Sequence, residues 1–172
     1  MLKGLLDSSS AAGVECILLP DASPNDSSIG RGKIVFNLLV FKKERSKVKT
    51  EVSHTGIDFE TIKKVLSAKI PVSLVINGKG IIHKKVSVSD KEDFPSLLHK
   101  VFPNANPSEF YVQNTPADNS SNAFVSIIRK NIADDIIAQF SNSGFYIVSC
   151  LMGPFPITSR SEEHTSELQS QR

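Results

Sequence analysis

A turn-rich loop near the start of the chain has the residue types that bind phosphate. The segment "PDASPNDSSIGRG", residues 20–32, holds four candidate residues: Ser27, Ser28, Gly30 and Gly32. Hydroxyl groups and glycine backbone N–H groups are the donors that hold phosphate in glycine-containing loops. The spacing matches no Walker motif, so two interpretations stay open: a nucleotide-binding loop and an ordinary polar connection.

Other constellations point to no catalytic residue and no metal ligand. Asp134 and Asp135 are adjacent on a predicted helix, so their side chains point about 100° apart and cannot act as a paired acid and base. Ser126 lies inside a predicted strand with no base expected beside it, and His83 is expected to face solvent from another strand. No metal-ligand spacing exists among the three histidines that precede the C-terminal segment, which are His54, His83 and His99.

The charge of the chain argues against nucleic-acid binding. The formal net charge is +2, which is small beside the dense basic patch of a nucleic-acid-binding protein. One basic cluster is present, formed by Lys42, Lys43, Arg45, Lys47 and Lys49. We interpret it as the polar turn between two strands, with contact to acidic lipid or to a partner as the alternative.

The cysteines and the apolar runs indicate a cytoplasmic location. Cys16 and Cys150 both lie in apolar runs far apart in the sequence, so we expect two buried core thiols in a reducing compartment, with a disulfide between them as the alternative. No run approaches the roughly 20 apolar residues that span a bilayer. The opening segment, "MLKGLLDSSS", has too short an apolar run for a secretory signal.

Hydrophobic periodicity predicts a mixed α/β domain in which an antiparallel meander is followed by crossovers. The predicted strands are residues 14–19, 33–41, 48–53, 72–76, 81–88, 109–113, 124–128 and 145–152. The predicted helices are residues 56–69, 91–102 and 131–140. Asp58 and Asp90 are the expected N-caps, and Gly144 is the expected left-handed C-cap. Asn77-Gly78 predicts a hairpin that joins the fourth and fifth strands.

The order of these elements resembles that of a known family. The segment "AFVSIIRKNIADDIIAQFSNSGFYIVSCLMGP", residues 123–154, runs from a strand through a helix and a glycine to a further strand. This resembles the end of the first half of an actin-like (ribonuclease H-like) fold, and "PVSLVINGKGIIHKKV", residues 71–86, fits the hairpin before it. The pattern resembles the PilM and GspL group, the actin-like cytoplasmic proteins of type IV pilus and type II secretion machines, over residues 12–156.

The resemblance implies a fold and a function. It implies the first half of an actin-like α/β fold, with a mixed sheet and flanking helices, over residues 1–158. It implies a cytoplasmic scaffold at the inner-membrane face that links a membrane-anchored assembly protein to the motor ATPase. Such a protein associates with the membrane peripherally, through its partner, and can form oligomers.

Two further functions stay open. One is a nucleotide-binding ATPase or a sugar-kinase-like enzyme of the same superfold, with ATP and Mg²⁺ as cofactors. Asp7 to Ser10, with Gly13, resembles the first phosphate loop of that superfold, but the sequence holds no Asp-x-Gly-Ser/Thr motif. The resemblance therefore assigns no binding residue. The other is an unrelated α/β binding module that is complete by Pro156.

The C-terminal segment "RSEEHTSELQSQR", residues 160–172, has no hydrophobic period. Residues 160–170 resemble one translated reading frame of a common short-read sequencing adapter. We therefore expect residues 159–172 to be an artefactual, unstructured tail and the natural protein to continue past Thr158. A natural polar tail is the alternative.

Overall fold

The structure is a computed structural model that describes residues 9–20, 33–45, 47–89, 92–117 and 121–153. The four phosphate-binding candidates, Ser27, Ser28, Gly30 and Gly32, lie outside the described residues. The same holds for Asp7, for Asp90 and for the predicted tail at residues 159–172.

The predicted order of strands and helices is confirmed. The strands are β1 (Ser10–Leu18), β2 (Ile34–Glu44), β3 (Lys47–Ile57), β4 (Val72–Gly78), β5 (Ile81–Ser87), β6 (Phe110–Pro116), β7 (Asn122–Arg129) and β8 (Ile147–Met152). The helices are α1 (Phe59–Val65), α2 (Phe94–Val101) and α3 (Lys130–Asn142), and a 3-10 turn spans Pro107–Glu109. The strands run longer than predicted at several ends because backbone pairing continues beyond the apolar residues.

The described residues fall into two compact units. One lies within Met1–Lys79 and Ala133–Leu151, and the other within Gly80–Ile132 and Met152–Arg172. The first contains a five-stranded sheet in the order β3-β2-β1-β4-β8. Because β1 is antiparallel to β2 and parallel to β4, the sheet is mixed, as predicted. The antiparallel meander of β1, β2 and β3 is likewise confirmed.

One face of the five-stranded sheet carries the core of the first unit. Alternate residues of β1, namely Ala12, Val14, Cys16 and Leu18, are buried on that face. Four phenylalanine rings meet there: Phe36 of β2, Phe59 of α1, Phe140 of α3 and Phe145 before β8. Their centroids are 4.8 to 6.3 Å apart in tilted and edge-to-face arrangements, which favour aromatic packing. Both helices therefore attach to the sheet through one aromatic cluster.

The second unit contains a three-stranded antiparallel sheet in the order β5-β7-β6. Helix α2 packs on one face of this sheet, and the shared buried residues are Val86, Leu97, Leu98, Ala105, Phe110, Val125 and Ile127. The predicted N-cap at Asp90 is wrong. Asp93 is the cap, because its Oδ1 accepts the backbone N–H of Ser96 at 3.0 Å and the helix starts at Phe94.

The predicted hairpin between the fourth and fifth strands is also wrong, because β4 and β5 belong to different sheets. Strand β4 instead pairs with β1 in the five-stranded sheet, where alternate residues of β4 are buried. Gly78 is the last residue of β4 and has a φ of 96°, and a Cβ there would collide with the carbonyl oxygen of Leu18. Gly78 of the Asn77-Gly78 pair therefore allows two parallel strands to approach closely, and the pair does not form a two-residue hairpin turn.

Two other local predictions are confirmed. Asp58 caps α1 by accepting the backbone N–H of Thr61 at 2.8 Å, and this hydrogen bond lowers the pKa of the carboxyl group. Gly144 follows α3 with a φ of 83°, in the left-handed region that a glycine C-cap uses.

The prediction for the two cysteines is half right. Cys16 is fully buried, and burial raises the pKa of its thiol, with a smaller contribution from the nearby Cys150. Cys150 is exposed rather than buried, and its strand, β8, lies at the edge of the sheet. Both thiols are free.

Candidate functional site

The candidate site is the sheet edge at which β1 and β4 end. These strands are parallel, and Leu18 pairs with Gly78, so both carboxyl ends meet at this edge. In open α/β sheets, ligands bind outside the carboxyl ends of the strands. At the same edge, the Leu19 N–H donates to the Lys33 carbonyl at 2.9 Å. In the sequence, these two residues flank Ser27, Ser28, Gly30 and Gly32, which lie outside the described residues.

A polar network lies on the outward face of the sheet beside this edge. Glu15 of β1 stands between Asn37 of β2 and Asn77 of β4. Its Oε2 accepts the Asn37 side-chain N–H at 2.8 Å, and its Oε1 accepts the Asn77 side-chain N–H at 3.2 Å. Asn37 in turn accepts the Gly56 N–H of β3 at 3.0 Å, and Asn77 accepts the Gly78 N–H at 2.9 Å. Side chains therefore tie four adjacent strands together.

The contacts of this network are those of a structural link between strands and not those of a magnesium site. Magnesium needs several oxygen ligands in octahedral geometry, and each Glu15 oxygen already accepts a hydrogen bond from a neutral amide. Across the described ranges, no group of three or more His, Cys, Asp or Glu side chains could hold a metal ion. This network was not predicted from the sequence. Its only signal is a set of polar residues at outward positions of three apolar strands.

The second phosphate-loop candidate, Asp7 to Ser10 with Gly13, is wrong for its described members. Ser10 begins β1 and pairs with Lys42, and Gly13 pairs with Leu39 on β2 and with Ser73 on β4. A phosphate loop needs backbone N–H groups that are free to turn toward the ligand. The backbone around Gly13 instead pairs with the two neighbouring strands.

A serine–histidine pair lies in the three-stranded sheet, and this pairing was not predicted from the sequence. Nδ1 of His83 is 2.8 Å from Oγ of Ser126. The prediction that Ser126 has no base beside it is therefore wrong, as is the prediction that His83 faces solvent. The reason is topological: β7 is the central strand, so Ser126 has His83 of β5 on one side and Gln113 of β6 on the other.

The row formed by His83, Ser126 and Gln113 contacts the backbone at the end of β8, at Met152 and Gly153. Gln113 Oε1 accepts the Met152 N–H at 2.8 Å. Gly153, with a φ of 71°, lies so close to the imidazole that a Cβ would collide with His83. Burial lowers the pKa of His83 and so favours the neutral ring. Ser126 is only 1% exposed, so its hydroxyl anchors structure rather than attacking a substrate.

Comparisons with known proteins give matches in structure but not in sequence. No protein-family model and no curated protein matches the chain. The PilM-PilN type IV pilus biogenesis complex matches 87% of this chain with a TM-score of 0.52 and 14% identity. The cytoplasmic domain of EpsL, an inner membrane component of the type II secretion system of Vibrio cholerae, matches 82% with a TM-score of 0.50 and 10% identity.

This chain has an actin-like fold of the PilM and GspL type. The predicted fold is thus confirmed. The chain spans 50% of the matched chain of the PilM-PilN complex and 57% of the EpsL domain. A Bacteroides thetaiotaomicron protein with an actin-like ATPase fold gives a lower TM-score of 0.42, at 7% identity over 83% of this chain and 52% of that one.

None of the helices in the described ranges is long and apolar enough to cross a bilayer.

Proposed function

We propose that this chain is a cytoplasmic scaffold of a type IV pilus or type II secretion platform at the inner membrane. It links a membrane-anchored assembly protein to the motor ATPase of that machine. The observation that supports this is the shared actin-like fold with two proteins whose names place them in such machines. One match comes from each machine, so the proposal includes both.

The described part of the candidate edge favours a scaffold over an enzyme. Glu15, the carboxylate of the polar network beside that edge, accepts hydrogen bonds from two asparagines. Ser10 and Gly13 belong to a strand rather than to a phosphate loop. On this proposal, the chain meets the membrane peripherally through its partner, and a second copy can join the platform.

The test is co-purification from cells that produce the full 172-residue chain with an affinity tag. The candidate partners are the cytoplasmic segment of the inner-membrane assembly protein and the motor ATPase from the same organism. We expect both to be retained, with the assembly protein retained even without the ATPase. The cytoplasmic segment of an unrelated inner-membrane protein serves as the control. Retention of neither partner would overturn the scaffold proposal.

One observation favours a second candidate, a nucleotide-binding ATPase or sugar-kinase-like enzyme. Leu19 and Lys33 are hydrogen-bonded at the carboxyl edge of β1, where nucleotides bind in open sheets, and in the sequence they flank Ser27, Ser28, Gly30 and Gly32. If the chain binds ATP with Mg²⁺, a concentration of 100 times the dissociation constant should stabilise the protein by about 2.7 kcal/mol. A melting temperature that ATP and Mg²⁺ leave unchanged would exclude this candidate.

A further inference from the structure

The tip of the β2–β3 hairpin concentrates the positive charge of the chain. Residues 42–49 contain one carboxylate, Glu44, and five cations, which are Lys42, Lys43, Arg45, Lys47 and Lys49. Since the whole chain carries a net charge of only +2, this segment alone is more positive than the protein. All five cationic residues are exposed. A turn between two strands needs polar residues, but it does not need five charges of one sign.

The register brings these charges face to face. Lys42 pairs with Lys49 directly across the hairpin, on the same face as the Glu44–Lys47 pair. Like charges directly opposite each other destabilise a strand pair. The ion pair between Glu44 and Lys49, at 2.7 Å, offsets part of this repulsion, but both of its side chains are exposed to solvent, which weakens it. An external anionic surface would reduce the remaining repulsion between these lysines.

The hairpin tip also presents an apolar side chain among its cations. Val48 is 68% exposed, more than any other large hydrophobic side chain in the described ranges. It pairs with Lys43 on the face opposite to that of Lys42 and Lys49. An exposed valine alone means little. Cations next to an exposed apolar group are the combination that holds peripheral proteins at an anionic membrane surface.

We propose that the tip of the β2–β3 hairpin binds the anionic phospholipid surface of a bilayer. Both faces of the tip carry cations, and a tip directed at a planar surface brings both faces against it at once. A protein docked on one face would neutralise only the cations on that face. This inference rests on the proposed function, because that function places the chain beside the inner membrane.

The test measures how the full chain partitions onto vesicles that contain no protein. We expect it to sediment with vesicles of phosphatidylglycerol and phosphatidylethanolamine and to stay in solution with phosphatidylcholine vesicles. Each cation near an anionic surface contributes roughly a fivefold increase in partitioning. The variant Lys43→Gln, Arg45→Gln, Lys47→Gln should therefore partition about a hundredfold less. High salt should weaken the binding of the unmodified chain, since it screens exposed charges.

A matched control separates the hairpin from overall charge. The variant Lys33→Gln, Lys64→Gln, Lys69→Gln removes the same number of exposed cations elsewhere on the first unit and should keep most of the vesicle binding. Melting curves will show that both triple variants are folded. The variant Val48→Ser should reduce the binding that persists at high salt, because that part is apolar.

Three results would overturn the inference. The unmodified chain could fail to bind anionic vesicles at low salt, or the two triple variants could lose vesicle binding to the same extent. The hairpin variant could also keep vesicle binding and lose the co-purified partner, which would make the tip a site for an acidic protein. Because the vesicles hold no protein, failure here leaves the scaffold proposal intact. Loss of both partners with vesicle binding preserved would overturn the scaffold proposal instead.

Discussion

Replacing Phe140 by alanine should expose how strongly α3 is attached to the five-stranded sheet. Phe140 is fully buried, and its ring lies 4.8 Å from that of Phe59, 5.9 Å from that of Phe36 and 5.8 Å from that of Phe145. The ring therefore connects α3 to α1, to β2 and to the segment before β8. The substitution leaves a cavity where these three elements meet.

The expected loss follows from burial and ring contacts. A buried Phe→Ala substitution costs about 3–5 kcal/mol, and each aromatic pair contributes about 0.5–1.5 kcal/mol beyond the buried area. With three ring neighbours, Phe140 should lie in the upper half of that range, at about 4–5 kcal/mol. The free energy of unfolding of an ordinary domain is about 5–15 kcal/mol. The variant should therefore be close to the limit at which the domain still folds.

Urea unfolding followed by far-UV circular dichroism measures this loss. The control is Tyr146→Ala, at the residue immediately before β8. This variant removes a 53% exposed ring, and a change within about 0.5 kcal/mol is expected. Phe140→Leu should lie between the two, because it keeps most of the buried volume. A loss below about 1 kcal/mol for Phe140→Ala would refute the packing of α3 on the aromatic cluster.

Three further predictions concern single residues. Gly78→Ala should lower the free energy of unfolding by more than about 2 kcal/mol, because a left-handed φ and a collision with the neighbouring strand both oppose a Cβ. Gly144→Ala, where the added Cβ has open space, should lower the free energy of unfolding by less. Equal urea midpoints for the two variants would contradict this prediction. Burial lowers the pKa of His83 below its ordinary value of 6.5, so stability should be complete above pH 6.5 and fall as the pH drops through the lowered pKa. The pH-dependent loss should shrink in His83→Gln, and an unchanged pH profile would count against it. A thiol reagent should label exposed Cys150 in the native protein and reach Cys16 only after unfolding, so native labelling that survives Cys150→Ser would be the contrary result.

Local chemistry accounts for what the sequence predicted correctly. The apolar run of the first strand, the Asp58 cap and the left-handed Gly144 depend on neighbours within a few residues, and a sequence pattern records such neighbours directly. The order of strands and helices comes from the same local signals. That order carried the resemblance to the PilM and GspL group, which the fold confirms.

Long-range pairing accounts for what the sequence could not give. Asn77-Gly78 has the composition of a hairpin turn, but β4 pairs with β1, more than fifty residues earlier in the chain. The contact between His83 and Ser126 and the amide network around Glu15 likewise depend on which strands lie side by side. The error at Asp90 has a different cause, since another aspartate three residues later competes for the same cap.

The most direct test of the scaffold proposal is co-purification of the full chain with the cytoplasmic segment of the inner-membrane assembly protein, followed by melting with ATP and Mg²⁺. The account predicts a stable complex and a melting temperature that the nucleotide leaves unchanged. The absence of a complex, together with stabilisation by ATP and Mg²⁺, would contradict the scaffold proposal and establish the nucleotide-binding alternative.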